Sequence, residues 1–216
     1  MTIASTIAAL ESVYGPFGSE SGFTESALQQ CEHRLATKLP HALRTLYVRT
    51  GRHAFHRACD RLVAPEDLAF DGDYLVFYEQ GQRSLVWAVA RHDLALDDPR
   101  VWALYDDEVL ADSSTVSDFL AFEASAQAID GGALPFFGLL DPYEETLSPP
   151  AFDRVGELLA NTRHGVVRYR TGAIALYRSE GGGFVGLAAA RESVFHQVAK
   201  EIGIPIDRWT ISSFAP

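Results

Sequence analysis

The sequence predicts an α+β fold: a mixed or mainly antiparallel sheet of four to six strands, helices packed mainly on one face, and a C-terminal α+β extension. Three observations carry that expectation. Apolar residues recur at helical spacing through the opening third of the chain. Residues 74–105 then switch to short β-branched and aromatic runs between turn residues, and beyond residue 115 helix and strand signals alternate again. The chain has 216 residues, 47% hydrophobic and 22% charged, an ordinary globular composition. A chain of this length buries roughly 70% of its unfolded surface, so neither a metal nor a disulfide is required to hold it together.

Ile3, Ile7, Leu10 and Tyr14 place a first helix over residues 3–14, ended by Gly15-Pro16. Residues 15–22 read as a loop. Thr24 is an N-cap for a second helix that buries Leu28, Cys31 and Leu35. Pro40 suits the first turn of a third helix, buried through Leu43, Leu46 and Tyr47 and stopped near Gly51. Asp71-Gly72-Asp73 turns the chain into a strand over residues 74–78, and residues 79–82 form a hairpin loop. The returning run at residues 85–89 is apolar on both faces, which marks a central strand. Asp97-Asp98-Pro99 leads into a third strand at residues 101–105. Thr115 with Asp118 then makes a capping-box pattern for a helix carrying Phe119, Phe122, Ala126 and Ile129.

Gly131-Gly132 marks the expected boundary between a domain at residues 1–130 and an extension at residues 131–216 packed on it. In the extension, residues 135–150 read as a proline-punctuated connector, and Pro149-Pro150 opens a helix carrying Phe152, Val155 and Leu159. Thr171-Gly172 joins a hairpin of residues 166–170 and 173–178. A short strand after Gly181-Gly182-Gly183 leads to a helix through Val194, Val198 and Ile202, with Trp209 in the tail.

Charge is distributed unevenly. Residues 60–130 carry sixteen Asp and Glu against four Arg, a net of −12, which exceeds the −11 of the whole chain. A field of one sign draws in a partner of the other and repels phosphate backbones, so the expected partner is a protein, basic in character, and not nucleic acid. The N-terminus lacks the basic start and unbroken apolar run of a secretory signal, and no window reaches the ~20 apolar residues of a membrane span, so the expected compartment is the cytoplasm.

Several motifs then fall into one order. Glu32 and Leu35 lead to Leu39-Pro40, followed by Leu46-Tyr47 and Thr50-Gly51. Leu75-Val76-Phe77-Tyr78-Glu79-Gln80-Gly81 precedes Val86-Trp87-Ala88-Val89, then Asp97-Asp98-Pro99, Val101-Trp102 and a helix from Val116-Ser117-Asp118-Phe119-Leu120. Over about half the chain this resembles the SUKH superfamily, which groups bacterial toxin-immunity proteins with a fungal cell-wall-synthesis regulator. The histidine-rich loop after Gly51, the short Glu79-Gln80-Gly81 turn and the last 86 residues depart from that pattern. The resemblance implies a binder without catalytic residues or cofactor.

The chemistry-bearing residues agree with a non-enzyme. Gly18-Ser19-Glu20-Ser21-Gly22 puts Glu20 where a hydrolase elbow needs its serine. His53, His56 and Cys59 could offer three ligands, but their spacing matches no standard zinc signature, and no metal or cofactor is assigned. Gly181-Gly182-Gly183 lacks the helix start and Lys-Ser/Thr pair of a phosphate loop. Asp97/Asp98, Asp106/Asp107/Glu108 and Glu144/Glu145 are adjacent carboxylates in polar loops, which stay ionised together rather than splitting into acid and base. The expected partner-binding set is therefore Tyr78, Glu79, Asp97, Asp98, Trp102, Asp106, Asp107 and Glu108, an aromatic anchor within an acidic rim. Whether Trp87 and Trp102 share a face is set by strand register. The function expected is an immunity protein that occludes a basic toxin such as a nuclease. A regulatory adaptor without a toxin, and an enzyme with a deep polar pocket, are the rivals.

Overall fold

The computed structural model of the chain describes residues 2–81, 84–106, 108–140, 152–178 and 184–213. The fold is α+β, and among these residues it has five α-helices and two antiparallel sheets of six strands each. The chain divides into two compact units, Met1–Ile7 with Phe17–Leu120 and Ala8–Pro16 with Ala121–Pro216, and each holds one sheet. The division falls inside α1 (Ile3–Tyr14) and inside α4 (Val116–Ile129).

In the first unit α2 (Glu25–Leu35) starts where Thr24 Oγ1 accepts from the Ala27 N–H at 3.2 Å. It ends at Ala36, whose φ of 51° puts an alanine in the left-handed conformation that glycine normally fills. Because a Cβ costs energy there, Ala36→Gly should raise stability by about 1 kcal/mol, read as a higher urea midpoint.

The turn from α2 into α3 (His41–Thr50) is fixed by a buried carboxylate. Glu32 accepts from the Leu39 N–H at 3.1 Å and pairs with Lys38 at 3.2 Å and Arg44 at 3.1 Å. Glu32 and Leu39-Pro40, successive in the sequence motif, are thus one structural device.

The first sheet contains β1 (Arg61–Leu62), β2 (Ala69–Asp71), β3 (Tyr74–Glu79), β4 (Leu85–Ala90), β5 (Val101–Tyr105) and β6 (Glu108–Ser113). β1 and β2 lie end to end along one edge of β3, and β4, β5 and β6 follow in order. A bulge inserts Phe77 opposite the Val76/Tyr78 step, so Phe77 and Tyr78, though adjacent, are both fully buried. Together with Trp87 they surround Phe119 of α4 at ring distances of 5.3–5.6 Å. Asp112 anchors the Trp87 indole, accepting from Nε1 at 3.1 Å. The Asp98 carboxylate takes the Ser117 N–H at 3.1 Å and the Ser117 hydroxyl at 2.5 Å, and Thr115 Oγ1 accepts from the Asp118 N–H at 3.0 Å, so both cap α4.

The second unit holds β7 (Phe136–Leu140), β8 (Glu157–Thr162), β9 (Gly165–Arg170), β10 (Ala173–Arg178), β11 (Phe184–Ala189) and β12 (Trp209–Ser213), in the order β12-β7-β11-β10-β9-β8. α5 (Glu192–Glu201) buries Phe195, Val198 and Ala199 with the alternating residues Ala173, Ala175, Val185, Leu187 and Ala189. On the other face Ile129 packs so close to Gly186 that a Cβ there would lie 2.6 Å from it.

Three expectations are corrected here. The connector at residues 135–150 contains a strand, β7. Of the helix expected through Phe152, Val155 and Leu159, Phe152 is helical and a 3₁₀ turn follows at Asp153–Val155, but Leu159 is a buried residue of β8. Gly156 makes that break, since a Cβ there would lie 2.1 Å from the Tyr169 carbonyl oxygen. Trp209 opens a strand, with its ring 5.5 Å from that of Phe195. Pro149-Pro150, Gly181-Gly182-Gly183 and Glu144/Glu145 lie outside the described residues.

Candidate functional site

Register gives the first sheet two unlike faces. Trp87 stands opposite Ala103, and Ala88 opposite Trp102, so the two tryptophans point to opposite sides. The Tyr78 and Trp87 side belongs to the core. On the other side a row runs across the sheet through Ala69, Val76, Ala88, Trp102 and Ala111. Beside it lies a second row of Arg61, Glu79, Val86, Leu104 and Val109. Ala69, Ala111, Arg61 and Val109 are exposed, and Val76, Trp102, Val86 and Leu104 are only half-buried. Tyr74 packs edge-on to Trp102 at 6.2 Å, and the Arg100 guanidinium lies 5.8 Å from the indole centre. The result is an open, largely apolar sheet face with a tryptophan in its middle row.

The β5–β6 hairpin carries exposed side chains on both faces: Val109 continues the open face, whereas Leu110, paired with Ala103, and Tyr105, paired with Leu85, point to the Trp87 side. Tyr105 and Glu108 form the last pair of the hairpin, and Asp106 turns the chain with a φ of +48°. Tyr105, Val109 and Leu110 are 49%, 42% and 44% exposed, large values for apolar side chains so close together in the chain. The hairpin therefore presents apolar flanks behind an acidic tip.

The expected site residues separate on this geometry. Trp102 and Glu79 stand on the open face, and Asp106 and Glu108 at the hairpin tip. Tyr78 does not belong with them. The bulge turns it inward, where it is fully buried against Phe119 and His56. Asp98 is engaged in capping α4, while Asp97 is exposed and its carbonyl accepts from the Ala42 N–H at 2.8 Å. Asp107 lies outside the described residues. Sequence reasoning missed Val76, Val86, Leu104 and Val109; only correct pairing of the strands exposes them as one face.

A groove of about 660 Å³ opens where β1 and β2 share the edge of β3. Leu62, Ala69, Phe70 and Val76 give it apolar walls, and Arg57, Arg61, Asp67, Asp71 and Glu79 bring charge. Glu79 pairs with Arg61 across the β1–β3 register.

His56 lines the same groove yet is 1% exposed. Its Nε2 lies 3.1 Å from Thr50 Oγ1, which donates to the Leu46 carbonyl, and its Nδ1 lies 3.4 Å from the Tyr78 hydroxyl. Thr50 spends its proton on Leu46, so Nε2 carries the imidazole proton and Nδ1 accepts from Tyr78. Burial, with smaller contributions from His53 and Arg57, pushes the His56 pKa down to about 3, so the ring is neutral. His53 instead caps the turn at Ala54–Arg57, its Nδ1 accepting from the Phe55 N–H at 3.4 Å, and Cys59 is exposed. Among the described residues no group of three or more His, Cys, Asp or Glu is placed to hold a metal ion, and no helix is long and apolar enough to cross a membrane.

The class defined by this architecture is an α+β protein with one open, aromatic-bearing sheet face and an acidic hairpin. No family model, curated protein or solved structure matches the chain.

Proposed function

We propose that this chain is a cytoplasmic, non-catalytic protein-binding module of SUKH type, an immunity protein that neutralises a basic toxin by covering its active surface. The observation that carries the reading is the β5–β6 hairpin, where Tyr105, Val109 and Leu110 are exposed around Asp106 and Glu108. Exposed apolar side chains behind a charged tip supply contact area and steering together. The −12 balance of residues 60–130 and the order of the SUKH-like motifs support it.

The test is co-expression with the toxin-like product of the adjacent gene, followed by growth and co-purification. Rescue with a stoichiometric complex whose association slows as salt rises is the expected result. In that complex the double variant Tyr105→Ser/Leu110→Ser should bind at least roughly 30-fold more weakly while its thermal melt is retained. No rescue and no complex with any neighbouring product would sink the toxin reading in favour of an adaptor.

A further inference from the structure

Among the described residues each sheet ends in strands with no neighbour on their outer side. Such an edge invites a further strand unless it is short, bulged or charged. β1 and β2 are two and three residues long. β8 is bulged between Leu158 and Ala160, which breaks the regular spacing of its outward groups. β6 carries Glu108 and Asp112, and pairing it with a second β6 about Leu110 would set carboxylate against carboxylate. β12 has none of these guards: Trp209–Ser213 is uncharged and pairs with β7 without a bulge. The Trp209 N–H turns away from β7 to the Ile206 carbonyl. Trp209, Ile211 and Ser213 therefore direct their backbone groups outward, while Thr210 and Ser212 bond to β7. Ile211 at the centre of this edge is 42% exposed, and Ile206 in the turn before it is 39% exposed.

We infer that β12 is a self-association edge: a second copy of the chain adds its own β12 antiparallel, across a two-fold axis at Ile211, and joins the two second-unit sheets into one. In this register the two Ile211 residues exchange N–H to carbonyl bonds, and each Ser213 N–H donates to the Trp209 carbonyl of the other copy. The Trp209 N–H, already held by Ile206, is not required. The Ile211 side chains meet across the axis, on the side of the strand that Trp209 buries against α5. Charge selects this occupant. Two copies of an uncharged strand meet without repulsion, whereas a basic strand finds no carboxylate within β12. The inference rests on the second unit alone, and the toxin reading neither requires nor forbids it.

The experiment is sedimentation equilibrium of the full-length chain from micromolar to near-millimolar concentration. The expected result is a mass that rises with concentration towards twice that of the monomer, equally in low and high salt. Ile211→Lys sets two ammonium groups across the axis from an exposed position. It should weaken association at least roughly tenfold while the thermal melt is retained. Tyr105→Ser/Leu110→Ser should associate like the parent, which separates this edge from the hairpin. A disulfide reads the register in a Cys59→Ser background, where the remaining Cys31 is buried. Ile211→Cys should cross-link to a second copy on oxidation, because facing residues of a hydrogen-bonded pair lie ~5.5 Å apart at Cα, within disulfide reach. Leu158→Cys, equally exposed but on the bulged β8, should not. A chain that stays monomeric at every concentration would overturn the assignment. So would association unchanged in Ile211→Lys or lost in the hairpin variant, or cross-linking through Leu158→Cys and not Ile211→Cys.

Discussion

Lowering the pH from 7 to 3 should destabilise the first unit by about 5 kcal/mol through His56 alone. The imidazole has its ordinary pKa of 6.5 when unfolded and about 3 when folded. Above pH 6.5 neither state binds the proton, and this group makes stability independent of pH. Between 6.5 and 3 the unfolded chain takes up a proton that the folded chain refuses, so stability falls by about 1.4 kcal/mol per pH unit. Below 3 both states are protonated and the slope vanishes. The cause is burial: a second proton would put a full positive charge in a site closed to water, with smaller repulsion from His53 and Arg57. Urea unfolding across this range reads the effect. In His56→Gln the part of the slope between pH 6 and 4 should disappear; an unchanged slope would mean that His56 is not the titrating group.

Glu32→Ala should cost about 3 kcal/mol, the loss expected when one member of a buried charge cluster is removed and the others remain. Three partners are affected at once: the Leu39 N–H, Lys38 and Arg44. Lys38 is 85% exposed and rehydrates freely, so the deficit arises at the Leu39 N–H and the partly buried Arg44. Guanidinium unfolding of Glu32→Ala beside Lys38→Ala separates the contributions. Lys38→Ala should change stability by less than about 0.5 kcal/mol, and equal losses in the two variants would contradict this account.

Local signals made much of the fold legible. Thr24, Thr115 and the periodic apolar residues of α1 to α5 announce helices, and the β-branched runs of β3, β4 and β5 announce strands. The elements that escaped are those whose structure comes from a neighbour. β7 lies between β12 and β11, both remote from it in sequence, and nothing within residues 136–140 signals partners so far along the chain. β6 hides because Glu108, Asp112 and Ser113 break its apolar pattern, yet its pairing with β5 forms the hairpin on which the functional reading rests. The candidate site was legible as residue types and illegible as a face. Trp102 and Glu79 stood out by chemistry, but Tyr78 was grouped with them because a bulge leaves no mark in composition.

The two faces of the first sheet answer to different demands, and this bears on how such a protein can diverge. Substitutions on the Phe77, Tyr78 and Trp87 side disturb the packing around Phe119 and are purged with the fold. Val86, Leu104 and Val109, on the open side, touch solvent and can change at little structural cost. A lineage can therefore rewrite what one surface presents while inheriting its scaffold from the other, without passing through unfolded intermediates.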